Sequence, residues 1–203
     1  MSDLTDHQQA AYNAIRDGLA AGDRFLGLRG YAGTGKTFLI TRLVEDLVNE
    51  DKTVTVCAPT HKAVQVLSEQ LETVPAQMKT LHSFLGLRLR PGEDGTYELV
   101  PEGDQEYSEG VVIVDEASMI GQQEWSFIQA SHNFLQWVFV GDPAQLPPVN
   151  EPDSPALEVP GPMLTEVHRQ ARDNPILDLD TQIREGRSEE RRVGKECFLL
   201  CRS

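Results

Sequence analysis

The chain has 203 residues, 39% hydrophobic and 25% charged, which suits one domain with a substantial core and excludes a disordered chain. Its formal net charge of −14 and pI near 4.7 exclude a protein that coats nucleic acid by bulk charge, though not a local groove that grips a strand by stacking, hydrogen bonds and a few cations. Three cysteines form neither a disulfide framework nor a metal-ligand pattern, and no apolar run approaches a membrane span or a signal-peptide core, so a cytoplasmic location without membrane contact is expected.

The segment from Leu4 to Ile15 opens the chain as a helix. Thr5 suits its N-cap, and Gln8 three residues later completes a capping box. Gln8 has a competing functional reading, because its amide can both donate to and accept from an adenine edge; from the helix alone, capping is favoured. Phe25-Leu26-Gly27-Leu28 reads as a short buried strand, and the helix from Phe38 to Val48 carries Leu39, Ile40, Leu43, Val44 and Leu47 on one face.

Between strand and helix lies Gly30-Tyr31-Ala32-Gly33-Thr34-Gly35-Lys36-Thr37, which fits G-x-x-x-x-G-K-[ST], the phosphate-cradling loop of nucleoside triphosphatases. Glycines let backbone N–H groups crowd around phosphate oxygens, and the following helix points its positive end at the same anion. Lys36 supplies a full charge for the β- and γ-phosphates, and Thr37 a hydroxyl for Mg²⁺. The strand–loop–helix context makes a chance glycine turn a minor explanation.

Val54–Ala58 is a second β-rich run, followed by Pro59-Thr60-His61-Lys62 at its carboxyl end, where open α/β sheets place ligands. Thr60 can equally cap the next helix, whose core candidates are Ala63, Val66, Leu67 and Leu71. Met78–Leu85 reads as a short helical turn in which His82 is more simply a structural histidine. Two alternating runs about 87–100, flanking a Pro/Gly/Asp-rich turn, predict a β-hairpin with Arg88 and Arg90 on one face. Residues 101–110 are acidic and read as loop.

Val111-Val112-Ile113-Val114 marks a strand buried on both faces, as in a parallel sheet, and it ends in Asp115 and Glu116. With a phosphate loop upstream, the first carboxylate suits a shell around Mg²⁺ and the second suits orienting and activating water. Trp137–Val140 is another buried strand. The Gly141-Asp142-Pro143 turn accounts for Asp142 but not for Gln145, whose amide suits a γ-phosphate sensor. Arg169 offers a planar cation for developing phosphoryl charge, and 175–186 reads as a helix with a glycine stop.

In series, LTDHQQAAY, GYAGTGKT, APTHKAV, TLHSFLG, VVIVDEASM, FVGDPAQLPPV and LTEVHRQ resemble the first RecA-like motor domain of superfamily-one DNA helicases, closest to the RecD/Dda-type, 5′→3′ branch. The resemblance implies an α/β fold: a RecA-like P-loop domain with a mainly parallel sheet flanked by helices and a small pin-like hairpin insertion. It implies ATP and Mg²⁺ as ligands and single-stranded DNA as partner. By position, Gln8 would contact adenine, while Gly33, Thr34, Gly35, Lys36 and Thr37 would bind the phosphates. Thr37 and Asp115 would serve the metal, Glu116 would be the catalytic base, and Gln145 and Arg169 would contact the γ-phosphate. Pro59, Thr60, His61, Thr80 and His82 would lie along the DNA. The resemblance shifts Gln8, Thr60 and His82 from structural to functional readings and leaves the pathway open among repair, recombination and phage replication.

Two departures from the pattern set expectations. The second RecA-like domain, which closes the ATP cleft in this family, has no counterpart here. From Ser188 the run Ser-Glu-Glu-Arg-Arg-Val-Gly-Lys-Glu-Cys resembles an in-frame translation of a sequencing adapter. The expected organisation is therefore a motor domain over 1–186 and a non-native tail over 187–203, in which Cys197 and Cys201 carry no functional weight. The expected activity is nucleotide binding with weak hydrolysis and no processive unwinding by the fragment alone. The rival is a stand-alone P-loop ATPase or nucleotide-binding module that does not act on DNA, which would leave APTHKAV and TLHSFLG unexplained.

Overall fold

The structure is a computed structural model, and it describes residues 4–72, 74–91, 97–102 and 109–167. Met1–Glu166 form one compact unit and Val167–Ser203 a second; the first is described below. Arg169, the helix expected over 175–186 and the tail expected over 187–203 lie outside the described residues.

The opening helix α1 (Asp6–Ala21) starts at the capping box: Thr5 Oγ accepts from Gln8 N, and Gln8 Oε1 accepts from Thr5 N. It stops where Gly22 adopts a left-handed conformation, φ 83°. Strand β1 (Phe25–Gly30) then leads into α2 (Lys36–Asn49), whose five apolar-face residues are all buried. Tyr12 on α1 donates to Asp46 on α2 at 2.6 Å, and burial followed by this bond pushes its phenol up to about 12.

Strand β2 (Val54–Ala58), α3 (His61–Gln70), β3 (Gln77–Thr80) and the single turn α4 (Leu81–Phe84) follow. The expectation of a helical turn from Met78 is corrected here. Residues 77–80 are a strand because they pair in parallel with Thr55–Ala58, and helix begins only after the Thr80 cap. Leu67 and Leu71 enter the core as expected, but Val66 is 44% exposed because it sits on α3's outer face.

The hairpin is present as β4 (Leu87–Pro91) antiparallel to β5 (Tyr97–Pro101), with Arg88 opposite Val100 and Arg90 opposite Glu98. Both arginines reach Glu102. Strand β6 (Glu109–Val114) starts inside the stretch expected to be loop, since Glu109 and Gly110 pair with Phe134 and Leu135. Helix α5 (Gln122–Ala130), β7 (Phe134–Gly141) and β8 (Met163–Leu164) complete the unit.

The main sheet has six strands in the order β3-β2-β6-β7-β1-β8, all paired in parallel. Alternate residues of each central strand serve opposite faces. Val111, Ile113, Val138 and Val140 join one cluster with Ile15, Leu39 and Leu43, while Val112, Val114, Trp137 and Phe139 join another with Phe84 and Ile128. Both faces need cover, and this is why the central strands read as unbroken apolar runs. Among the described residues no helix is long and apolar enough to cross a membrane.

Residues 160–162 extend the edge beside β1, where Gly27 N donates to Pro160 O and Arg29 N to Pro162 O. The approach is close enough that a Cβ on Gly161 would sit 1.8 Å from Gly27 O. Gly161→Ala is therefore expected to lower stability by about 1–3 kcal/mol through overpacking, measured by urea unfolding.

Candidate nucleotide site and strand track

The carboxyl ends of the parallel strands share one edge of the sheet, and the predicted loop and strand-end residues that are described collect there. The glycine loop leaves β1, Asp115 and Glu116 leave β6, and the Asp142–Gln145 loop leaves β7, which lies between them. At about 4.8 Å per strand, the β1 and β6 ends stand about 10 Å apart, with Asp142 in the gap.

In the loop, Gly33 and Gly35 have φ of 75° and 83°, a region that favours glycine. Gly35 is the N-cap of α2 and no side chain caps this end, so the first-turn N–H groups are not committed to a cap. A missing cap costs about 1 kcal/mol, whereas each of the five buried side chains of α2 contributes about 1.5–3 kcal/mol. Packing thus holds the helix while its positive end faces the cleft.

Lys36 Nζ donates to Gly30 O at 2.7 Å and to Tyr31 O at 3.1 Å, and lies 3.9 Å from Asp142 Oδ2. Asp142 is buried, and its other oxygen accepts from Ala144 N at 2.9 Å. The turn chemistry expected of Asp142 is present. Its position against Lys36 was not legible, because only the strand order brings β7's end beside the loop. Thr34 is buried, with its hydroxyl donating to Tyr31 O and its carbonyl accepting from Gln8 Nε2 at 3.0 Å. Gln8, 2% exposed, therefore caps α1 and also ties it to the phosphate loop. Thr37 stands in the first turn of α2.

Burial raises the Asp115 carboxyl above its ordinary value and the neighbouring Glu116 charge adds to this, while a backbone N–H from Glu116 and the Lys36 ammonium pull the other way. Glu116 holds a left-handed backbone, φ 55° and ψ 39°. That conformation costs a non-glycine residue about 1–3 kcal/mol and turns the chain sharply into the 3-10 turn Ala117–Met119. The turn is fixed by Ser154 Oγ, 2.7 Å from both Ala117 O and Ile120 O, and Ser118 Oγ donates to Gln145 Oε1 at 2.9 Å. Ser118, which sequence reasoning passed over, is buried, whereas Gln145 is exposed.

The oxygen donors suit a hard divalent cation: the Thr37 hydroxyl and a buried carboxylate whose raised affinity for a proton a metal charge would reverse. Among the described residues no group of three His, Cys, Asp or Glu forms a self-sufficient metal cage, so a cation here would need substrate oxygens and water as well.

The residues expected along DNA gather on the other half of the same edge. Pro59, Thr60 and His61 follow β2, and Thr80 and His82 follow its partner β3, with Ala58 opposite Thr80. Thr60 and Thr80 cap α3 and α4 by accepting from Ala63 N and Ser83 N, each at 3.2 Å. His61 is exposed. His82 Nε2 lies 3.1 Å from Glu124 Oε1 on α5. Burial raises the Glu124 carboxyl, but His82 and the backbone donors of Glu124 and Gly121 outweigh it and hold the group below its usual range. The structural readings of Thr60 and His82 thus hold, and Thr80 also caps a helix, without removing these side chains from the edge.

The family model described as an AAA domain (AAA_30) matches residues 3–196. The chain belongs to this family. It is similar to the ATP-dependent DNA helicase dda of Enterobacteria phage T4, 28% identical over 197 residues covering 91% of this chain and 43% of that protein. It is also similar to the ATP-dependent RecD2 DNA helicase of Deinococcus radiodurans, 35% identical over 163 residues covering 77% of this chain and 21% of that one. The uncharacterized protein R530 of Acanthamoeba polyphaga mimivirus is 30% identical over 63% of this chain and 30% of its own length. The chain spans less than half the length of each of these relatives.

Among solved structures, a Pif1 helicase complex at forked duplex DNA superposes with a TM-score of 0.62 at 22% identity, over 91% of this chain and 48% of that one. Pif1 from Bacteroides bound to single-stranded DNA gives 0.61 at 22%. These establish the RecA-like fold. The family match, the relatives and the ordered motifs assign the chain to the superfamily-one RecD/Dda type, as its first RecA-like domain.

The raised Asp115 carboxyl gives a test of the site's strain. Its charged form is disfavoured in the folded protein, so it weakens stability as pH rises from the ordinary carboxylate range through the folded value. Asp115→Asn is expected to raise Tm by about 2–4 °C at pH 7.5, with the gain shrinking on acidification as Asp115 itself takes up a proton.

Proposed function

We propose that the chain is the ATP-binding half of a DNA-stimulated motor, in a protein that unwinds DNA at the expense of ATP. One observation carries this reading: the parallel sheet gathers the Lys36 loop and the Asp115–Glu116 pair within about two strand spacings on its carboxyl edge, with the β2 and β3 loops continuing the same edge.

In this reading the triphosphate takes the place that the Gly30 and Tyr31 carbonyls now fill at Lys36, exchanging two neutral acceptors for an anion. Gly33, Thr34 and Gly35 carry the backbone around the phosphates, and Gln8, which braces that backbone from α1, would contact adenine. Thr37 and Asp115 would hold Mg²⁺, which supplies charge neutralisation for the phosphoryl oxygens when bound. Glu116 orients water and takes its proton. Its left-handed backbone turns the chain out of the line of the strand at this residue. Gln145 faces the γ-phosphate from β7. Arg169 is assigned the second cation on the motif order alone.

Pro59, Thr60, His61, Thr80 and His82 would contact single-stranded DNA, and the β4–β5 hairpin would meet the duplex. With a net charge of −14, this contact rests on local donors and ring faces rather than on overall charge. A second RecA-like domain, supplied by the remainder of a longer protein, would close the nucleotide cleft.

The test is Mg·ATP binding and hydrolysis by this chain. Lys36→Ala is expected to weaken Mg·ATP binding about 10- to 100-fold, as befits a lost charge-assisted contact. Glu116→Gln should leave affinity within about twofold and cut turnover about 10²- to 10⁴-fold. Equal hydrolysis by Glu116→Gln, measured by phosphate release, would sink the assignment of the base. For the full-length parent, turnover without stimulation by single-stranded DNA would favour a stand-alone ATPase.

A further inference from the structure

Gln145 can serve an anion only if its amide presents hydrogens. An amide turned the other way would aim a carbonyl dipole at negative charge. The side chain is on an exposed loop, and left to itself it would sample both orientations. In the structure the hydroxyl of buried Ser118 donates to Gln145 Oε1 at 2.9 Å, which leaves the NH₂ group on the other arm of the planar amide.

Ser118 is itself built in. It belongs to the 3-10 turn directly after Glu116, which Ser154 clamps through two backbone carbonyls. That turn sits against the end of β7, where a Cβ on Gly141 would come 3.2 Å from Ser118 N and 2.6 Å from a Leu157 methyl. The Gln145 backbone is held in its own turn, with its N–H donating to Asp142 O at 3.1 Å. One hydroxyl thus joins the carboxylate turn of β6 to the sensor loop of β7.

We propose that Ser118 is a positioning residue that locks the Gln145 amide with its oxygen inward, so that its NH₂ meets the γ-phosphate. The inference rests on the nucleotide reading above and names the residue that makes Gln145 competent. Loss of the hydroxyl frees the amide to rotate and should weaken only ligands that carry a γ-phosphate.

The experiment measures the affinity of the 203-residue chain for Mg·ADP and for Mg·AMP-PNP, the non-hydrolysable imido analogue of ATP, by calorimetry. The wild type is expected to prefer AMP-PNP. Ser118→Ala should reduce that preference about three- to tenfold, with ADP affinity unchanged, and should have no further effect in a Gln145→Ala background. If Ser118→Ala fails to fold by thermal unfolding, Ser118→Cys, which keeps the shape and donates weakly, carries the same expectation. Equal loss for ADP and AMP-PNP would mark a merely structural serine and overturn the inference. So would an additive effect in the Gln145→Ala background, or an unchanged preference. A wild-type chain that binds both nucleotides without preference overturns it while the site stands; one that binds neither removes the nucleotide reading as well.

Discussion

The ammonium of Lys36 is the charge that the carboxyl edge of this sheet has to satisfy. A cation drawn out of water costs several kcal/mol unless it is paired and hydrogen-bonded. Its 2.7 and 3.1 Å bonds to the loop's own carbonyls, with Asp142 at 3.9 Å, meet that cost without any ligand. The loop can therefore fold closed on its lysine, and an incoming phosphate competes with two backbone oxygens rather than filling a preformed hole. Gly33 and Gly35 hold φ of 75° and 83° in the loop that brings Lys36 back over Gly30 and Tyr31, a backbone that favours glycine.

The same requirement fixes which strand stands where. A half-buried lysine needs acidic neighbours that do not bond it so tightly that a phosphate cannot replace them. Asp142 divides its carboxylate between a backbone donor at 2.9 Å and the distant ammonium. Asp115 feels the same ammonium, but burial outweighs it and raises the carboxyl. Placing β7 between β1 and β6 produces this graded pairing. Double-sided apolar packing holds the order, since neither Val138 and Val140 nor Trp137 and Phe139 tolerate a face turned to water.

The elements that were legible in the chain are those whose signal is local. The phosphate loop, the capping box at Thr5, β2 and the strand ending in Asp115 carry their patterns within a few residues. The strand over Gln77–Thr80 was missed because its four residues show no alternation; its identity comes from pairing with β2, which sequence periodicity does not report. Helix α5 escaped notice for a similar reason. Its N-cap, Gly121, has no side chain to cap with, and both ends are held from outside: Gln122 N donates to the Glu151 carboxylate, and the Arg24 guanidinium reaches Gln129 O and Ser131 O across more than 100 residues. Within the site, motif order identified the carboxylates and Gln145. The contacts that orient them, Ser118 on Gln145 and Gln8 on Thr34, join segments 27 and 26 residues apart and belong to tertiary structure alone.

How the nucleotide half of the edge could influence the strand half follows from adjacency. Strand β6 ends in the carboxylates, and its neighbour β2 ends in Pro59-Thr60-His61; Asp115 N donates to Cys57 O at 2.9 Å across that boundary. Cys57 is wholly buried, its thiol pushed up to about 12 by burial, so this junction is a packed one without room for local slack. A change at Asp115 therefore reaches Thr60, the cap of α3, through one backbone bond and three peptide units. The turn on the other side of Asp115 is equally committed, through Glu116's left-handed backbone and the Ser118–Gln145 bond. The carboxylate pair thus sits where the two halves of the edge meet, and in a motor its displacement would be felt on both sides at once.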